Sequence, residues 1–289
     1  MASKLTLSGF KMHENDFRYS ETKLGICVVT YQESFCETVA FESLSSLPCQ
    51  LKQSLVIVSL QNAAHENASL GWFDIDDNLD LHYKEGVFAE NSGLSGGYNR
   101  CLERVGRRDV SGVLFLNADS KVTEEYVKWL ISNLGDEGSE CVFAPKLSSC
   151  DLTVSPFSKA GFNFPFFIIG FLCIKRGSFL NNLVFPDNFW LDGIDYWLSA
   201  ELYRAGAIVK NLEFVIEHNL SISDQFKTLP LWRYKNILVS ERLFYSQEKA
   251  NVIYLYYVYL RSACKCIVSA RWDLFAQVLK EFRVALLNE

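Results

Sequence analysis

Val113-Leu114-Phe115-Leu116-Asn117-Ala118-Asp119-Ser120 decides how the rest of the sequence is read. Four apolar residues run without a break into Asn-Ala-Asp-Ser. A short apolar run bounded by polar residues predicts a strand buried on both faces, the kind found in the middle of a mostly parallel sheet. In open α/β sheets, ligands bind beyond the carboxyl ends of such strands. Asp119 falls at that end. A carboxylate there either holds a divalent cation or caps the helix that follows. Thr123-Glu124-Glu125 reads as a helix start and Asp is a good N-cap, so both uses stay open.

Upstream, Leu24–Tyr31 and Leu55–Leu60 read as two more strands, and Asp80–Tyr83 as a short one at the sheet edge. Phe35–Leu47 carries apolar residues at near-helical spacing and stops at Pro48. Asn91–Asn99 is a glycine-rich turn opening a helix that runs to Arg104. Downstream come a helix over Thr123–Leu134 and a strand at Cys141–Ala144. Alternation of strand and helix five times over predicts an α/β fold, a doubly wound, mostly parallel sheet. From Phe157 to Ile174 the sequence is dense in Phe and broken by Gly161, Pro165 and Gly170, which predicts a smaller mixed sheet or a tight bend. Residues 195–205 read as a helix ending at Gly206, and Ile208–Ile216 as a strand. Leu231–Gln247, Val252–Ser269 and Trp272–Leu287 read as helices without an internal Gly or Pro. The expected organisation is an arm at 1–22, an α/β domain at 23–225 in two parts (23–122 and 123–225), and a helical region at 226–289.

The 289 residues carry a formal charge of −6, which argues against a nucleic-acid partner. The charge is uneven. Residues 226–289 hold 10 Lys and Arg against 5 Asp and Glu, leaving 18 against 29 for residues 1–225. Nine cysteines without a Cys-x-x-Cys predict buried thiols in a cytoplasmic protein. Met1–Ser20 is polar and reads as neither signal peptide nor export sequence. The longest apolar run, Val252–Leu260, is too short to span a bilayer.

Three further stretches could carry chemistry. In Asn91-Ser92-Gly93-Leu94-Ser95-Gly96-Gly97-Tyr98-Asn99, glycines let backbone approach a ligand and a helix N-terminus follows; a loop that simply needs positive φ fits equally. A dinucleotide fingerprint is excluded, because it belongs after the first strand, which here ends in Thr30-Tyr31-Gln32-Glu33. In Phe189–Trp197, Asp192 and Asp195 lie three apart in an aromatic setting that raises a carboxyl pKa, as a general base requires; an N-cap with a first-turn acid is the other reading. His218, after the 208–216 strand, is either a structural histidine or a partner of Asp119 at a cation.

Taken in this order, the motifs resemble the family 2 glycosyltransferases of GT-A fold, and most of all the rhamnosyltransferase-like members that build bacterial surface polysaccharides. The resemblance runs from about Leu24 to His218. It implies that Thr30, Tyr31, Glu33 and Asn62 line the nucleotide pocket, and that Asn91, Gly96, Gly97 and Asn99 approach the ribose and sugar. Asp119, beside Asn117 and with His218 near, would hold Mn²⁺ or Mg²⁺ against the diphosphate. Asp195 would be the base, and Asp192 would help bind the acceptor. The implied reaction is inverting transfer from a dTDP- or UDP-sugar, with dTDP-rhamnose the donor to which the resemblance leans. The implied acceptor is a surface glycan (O-antigen, capsule or wall polysaccharide), lipid-linked or free, reached from the inner face of the cytoplasmic membrane. The sequence departs from the family in having Gln61-Asn62 where Asp-Asn is common, and one acid rather than two in the metal motif. A non-catalytic nucleotide- or glycan-binding module of the same fold is the alternative. For the basic, aromatic C-terminal helices three roles stay open: a cover for the catalytic domain, a homodimer interface, or peripheral membrane contact.

Overall fold

The structure, a computed structural model, describes residues 22–65, 68–76, 81–107, 109–135, 141–149, 152–159, 161–217, 228–247 and 252–287. Its frame is one mixed sheet. The strands are β1 (Leu24–Tyr31), β2 (Leu55–Asn62), β3 (Gly71–Asp76), β4 (His82–Val87), β5 (Gly112–Asn117), β6 (Cys141–Ser149), β7 (Leu152–Ser155), β8 (Cys173–Lys175) and β9 (Ile208–Glu217). They lie in the order β3-β4-β2-β1-β5-β8-β6-β7, with β9 paired to β6. β4, β2, β1, β5, β6 and β9 all point one way, and β3, β7 and β8 run against them. The sheet is therefore mostly parallel.

The helices are α1 (Val39–Ser45), α2 (Cys49–Lys52), α3 (Gly93–Val105), α4 (Glu124–Leu134), α5 (Ser178–Asn182), α6 (Ile194–Arg204), α7 (Leu231–Gln247), α8 (Val252–Val268) and α9 (Trp272–Leu287). β5 shows why the apolar run is unbroken. Val113 and Phe115 point into a core shared with Tyr98, Phe166, Leu198 and residues of α7–α9. Leu114 and Leu116 point into a second core, with Leu44 of α1 and Tyr126 and Leu130 of α4. All four are 0% exposed. A strand covered on both faces has no polar side to write into its sequence. At about 1.5–3 kcal/mol for each large apolar side chain removed from water, these positions anchor the two layers.

Three local expectations change. The helix read over Phe35–Leu47 is a 3-10 turn (Phe35–Glu37), then α1 capped by Thr38; Pro48 does not end it but precedes α2. The short strand read as the sheet edge is an interior one. β4 spans His82–Val87, and the edge belongs to β3, which pairs with it antiparallel. β3 hid because Gly-Trp-Phe-Asp-Ile-Asp is short and opens on glycine. The arm at 1–22, apart from Thr22, lies outside the described residues, as does His218. Among the described residues no helix is long and apolar enough to cross a membrane.

Candidate active site

Parallel pairing brings the carboxyl ends of β1, β2 and β5 to one side of the sheet: Tyr31 sits opposite Asn62, and Val29 opposite Asn117. The chain leaves β5 through a tight turn. The Ser120 N–H donates to the Asn117 carbonyl at 3.0 Å, and the Asn117 N–H to Ser120 Oγ at 3.2 Å. The Ala40 N–H ties the turn to α1 through the Ala118 carbonyl, also at 3.0 Å. Asp119 is thereby held exposed at the tip of the central strand. It caps nothing: α4 is capped by Thr123, whose hydroxyl accepts the Tyr126 N–H. That removes the bland reading of Asp119.

The β1 tip is built similarly. Gln32 takes φ 59°, and Thr30 Oγ1 donates to the Glu33 carbonyl at 2.7 Å. This curl leaves Tyr31 57% exposed. Burial, then the charges of Glu37 and Asp119, raise the Glu33 carboxyl, so the β1 and β5 tips share a negative field.

The glycine-rich turn is packed against protein. Gly93 stands at φ 68°, and a Cβ there would come within 2.2 Å of the Trp190 carbonyl. Gly97 packs on β1, its absent Cβ 2.8 Å from Val29; one at Gly96 would meet Ser92 Cβ at 2.7 Å. Asn91 Oδ1 accepts the Gly93 N–H, and the Asn91 carbonyl accepts Trp190 Nε1–H. Asn62, 2% exposed, donates to the Gly93 carbonyl and accepts from the Ser92 N–H and hydroxyl. Asn99 clasps Phe185, donating to its carbonyl at 2.7 Å and accepting its N–H at 2.8 Å. The amides of Asn62 and Asn99 thus hold the rim of the site. Among the described residues expected to bind donor or metal, Tyr31, Glu33 and Asp119 are the exposed positions.

Opposite stands α6. Its N-cap is Gly193, so Asp192 precedes the helix and the two acids do not share a helical face. Asp195 does not cap its own helix either. Its Oδ1 accepts the Ile169 N–H at 2.8 Å, and Ser199 braces the segment by accepting the Phe167 N–H while donating to the Asp195 carbonyl. Burial lifts the Asp195 carboxyl to about 6; the Ile169 hydrogen bond opposes this and Asp192 adds to it. Asp192 turns towards α7. Its Oδ1 lies 3.5 Å from Arg233 Nη2, and its carbonyl accepts the Ser240 hydroxyl at 2.6 Å. Burial also lifts it to about 6, against the pull of Arg233.

The two ends meet across three residues. Ile169 binds Asp195; a Cβ on Gly170 would come 2.8 Å from Asn117 Nδ2; and the Phe171 N–H donates to the Phe115 carbonyl of β5 at 2.8 Å. The hydroxyl of buried Tyr98 donates to the Leu116 carbonyl at 3.3 Å and feels the charge of both acids. Burial first, then Cys27 and Cys101, push its hydroxyl well above the usual range, and the charges of Asp195 and Asp119 push the same way. Residues 169–171 therefore link the tip of β5 to the first turn of α6.

Two contributors escaped the sequence reading. Arg233 comes from α7. Lys159 forms a 2.6 Å ion pair with Glu241, both side chains 10% exposed, and its ammonium sits 3.8 Å over the Tyr196 ring. Burial lowers the Lys159 pKa and Glu241 partly restores it. The signal for this pair lay 82 residues apart in the chain.

No protein-family model matches the sequence, and no curated protein does. Solved structures do. The chain is similar to Staphylococcus aureus TarS 1–349 with a TM-score of 0.51 at 14% identity over 91% of each chain. It is also similar to a Pyrobaculum calidifontis mannosyltransferase in complex with GDP-Man and Mn²⁺, with a TM-score of 0.54 at 14% identity over 96% of this chain and 79% of that one. The fold is that of the GT-A glycosyltransferases.

Proposed function

We propose that this chain is an inverting glycosyltransferase that moves a sugar from a nucleotide-diphosphate donor to a hydroxyl of a bacterial surface glycan. The observation that carries the reading is the juxtaposition across residues 169–171 of an exposed acid tip, Asn117–Asp119, and a desolvated acid, Asp195. A dTDP- or UDP-sugar lies with its base against exposed Tyr31 and its diphosphate at Asp119, and dTDP-rhamnose is the first donor to try.

The donor set fits a hard cation only in part. Among the described residues no three His, Cys, Asp or Glu side chains form a metal-binding group. Mg²⁺, however, is commonly held by one or two carboxylates together with substrate phosphates. Asp119 would be the protein ligand, and the ion, Mn²⁺ or Mg²⁺, offsets charge on the departing diphosphate when bound. His218 is kept as its expected neighbour.

Asp195 takes the proton of the acceptor hydroxyl as that oxygen bonds to C1 and the C1–diphosphate bond breaks on the opposite face. One displacement inverts the centre. A base with a pKa near 6 is ionised at neutral pH yet basic enough to share the proton. Asp192, steadied by Arg233, flanks the acceptor.

The test is a thermal-shift panel of nucleoside diphosphates with and without Mn²⁺, followed by donor turnover. Metal-dependent release of nucleoside diphosphate, lost in Asp119→Asn and in Asp195→Asn, is expected. Binding without turnover under every donor and acceptor tried would replace the enzyme with a non-catalytic nucleotide- or glycan-binding module, a reading that the single-acid tip favours.

A further inference from the structure

α8 and α9 bury one side of themselves and leave the other exposed among the described residues. On α8, Leu255, Tyr259 and Cys266 face the core. Ile253, Tyr257, Leu260, Ile267 and Val268 recur at three- and four-residue spacing on the opposite side, with Ile253 67%, Leu260 65% and Val268 88% exposed. On α9, Trp272, Leu279 and Leu286 repeat every seven residues and are also exposed. The two stripes adjoin. Tyr256 and Phe282 stack edge to face at 5.3 Å, and between the helices runs an apolar groove of about 490 Å³. A continuous apolar face on two adjacent helices is more than scattered exposure explains.

Charge decides what covers it. The stripes are flanked by exposed Arg261, Lys265, Lys280 and Arg283. The acids of these helices are engaged elsewhere: Asp273 pairs with Arg271, and Glu281 is buried against Arg242 of α7. The rim is therefore positive. A second copy docked face to face would bring two positive rims together. An anionic lipid surface meets both the apolar stripe and the rim, and Tyr257 and Trp272 are suited to the headgroup level. Residues 226–289 are net +5 and residues 1–225 net −11, so such a surface attracts this end of the molecule and repels the rest.

We propose that the α8–α9 face lies on a membrane rich in anionic phospholipid, its stripe in the interface and its rim on the headgroups. The proposal is independent of sugar transfer. It is tested by sedimenting the full chain with vesicles of phosphatidylcholine alone, or of phosphatidylcholine and phosphatidylglycerol in equal parts. Binding is expected only to the anionic vesicles. Because each basic residue at such a surface adds about 1 kcal/mol, Arg261→Ala with Arg283→Ala is expected to weaken it about thirtyfold. Leu260→Glu with Val268→Glu, both at exposed positions, is expected to abolish it while the melting temperature holds. No binding, binding indifferent to headgroup charge, or a solution dimer split by the Leu260 and Val268 changes would each overturn the proposal.

Discussion

Gly170 is held so close to the side-chain amide of Asn117 that a Cβ at residue 170 would stand 2.8 Å from Asn117 Nδ2. One residue earlier, the same backbone gives its N–H to Asp195. The two acid-bearing ends of the site are thus registered by a single short segment.

Gly170→Ala tests that register. The added methyl must push the Asn117 amide or move the segment, and overpacking of this sort costs about 1–3 kcal/mol. The expected outcome is a lower melting temperature together with weakened nucleoside-diphosphate binding, read by thermal shift. Unchanged binding would separate the segment from the donor site.

Asp195→Asn keeps the acceptor of the Ile169 N–H and removes a charge that the fold disfavours. The Asp195 carboxyl rises from 3.8 unfolded to about 6 folded, so the protonated form is preferred in the fold. Its stabilising contribution is whole below pH 3.8 and is lost as pH rises through about 6. At neutral pH the shift corresponds to about 3 kcal/mol. The variant should therefore melt higher than wild type at pH 7.5, with the gap closing towards pH 4, while transfer is abolished. In the wild type, kcat/KM should fall as pH drops below about 6, the limb of a single base.

Arg233→Met strips Asp192 of its counter-charge. Removing one partner of a largely buried pair leaves the other uncompensated. With the Asp192 side chain 12% exposed and the contact at 3.5 Å, about 1–3 kcal/mol is expected at pH 8 and less at pH 5, where the carboxyl protonates. Chemical denaturation at the two pH values reads it, and equal losses at both would place the effect in packing.

Lys159 and Glu241 form a pair in which both partners are 10% exposed. Lys159→Met alone should cost about 3–5 kcal/mol, because Glu241 is stranded; adding Glu241→Leu should recover much of that. A double-mutant cycle by denaturant titration measures the coupling. A double variant as unstable as the sum of the singles would deny it.

The central strand was legible in the sequence because burial on both faces erases alternation: Val113 and Phe115 serve one core, Leu114 and Leu116 the other. Helix ends such as Thr123 and Gly206 were legible because local chemistry makes them. The roles of the asparagines were not. Asn62, which grips residues 92 and 93, and Asn91, whose amide caps Gly93, are the same residue type, and only their tertiary partners distinguish them. Nor was the α7 contribution. Arg233 and Glu241 meet Asp192 and Lys159 only once that helix is laid over the α/β-domain residues, a pairing that no local spacing announces. The spacing of Asp192 and Asp195 misled for a similar reason: Gly193 starts the helix between them.

β8 is three residues long, yet among the described strands it alone stitches β5 to β6, pairing Val113 with Ile174 on one side and Val142 with Ile174 on the other. It enters the sheet only after the chain has laid down β6 and β7 and doubled back. This is a non-local closure, and such contacts form late because their loop entropy must be overcome first. A nascent chain extended through β6 already carries Asp119 on its turn but has neither the Ile169 N–H nor Asp195. Assembly of the proposed site therefore waits on completion of the fold, and a lesion between residues 157 and 175 is expected to remove the proposed transfer while most of the helices and strands survive.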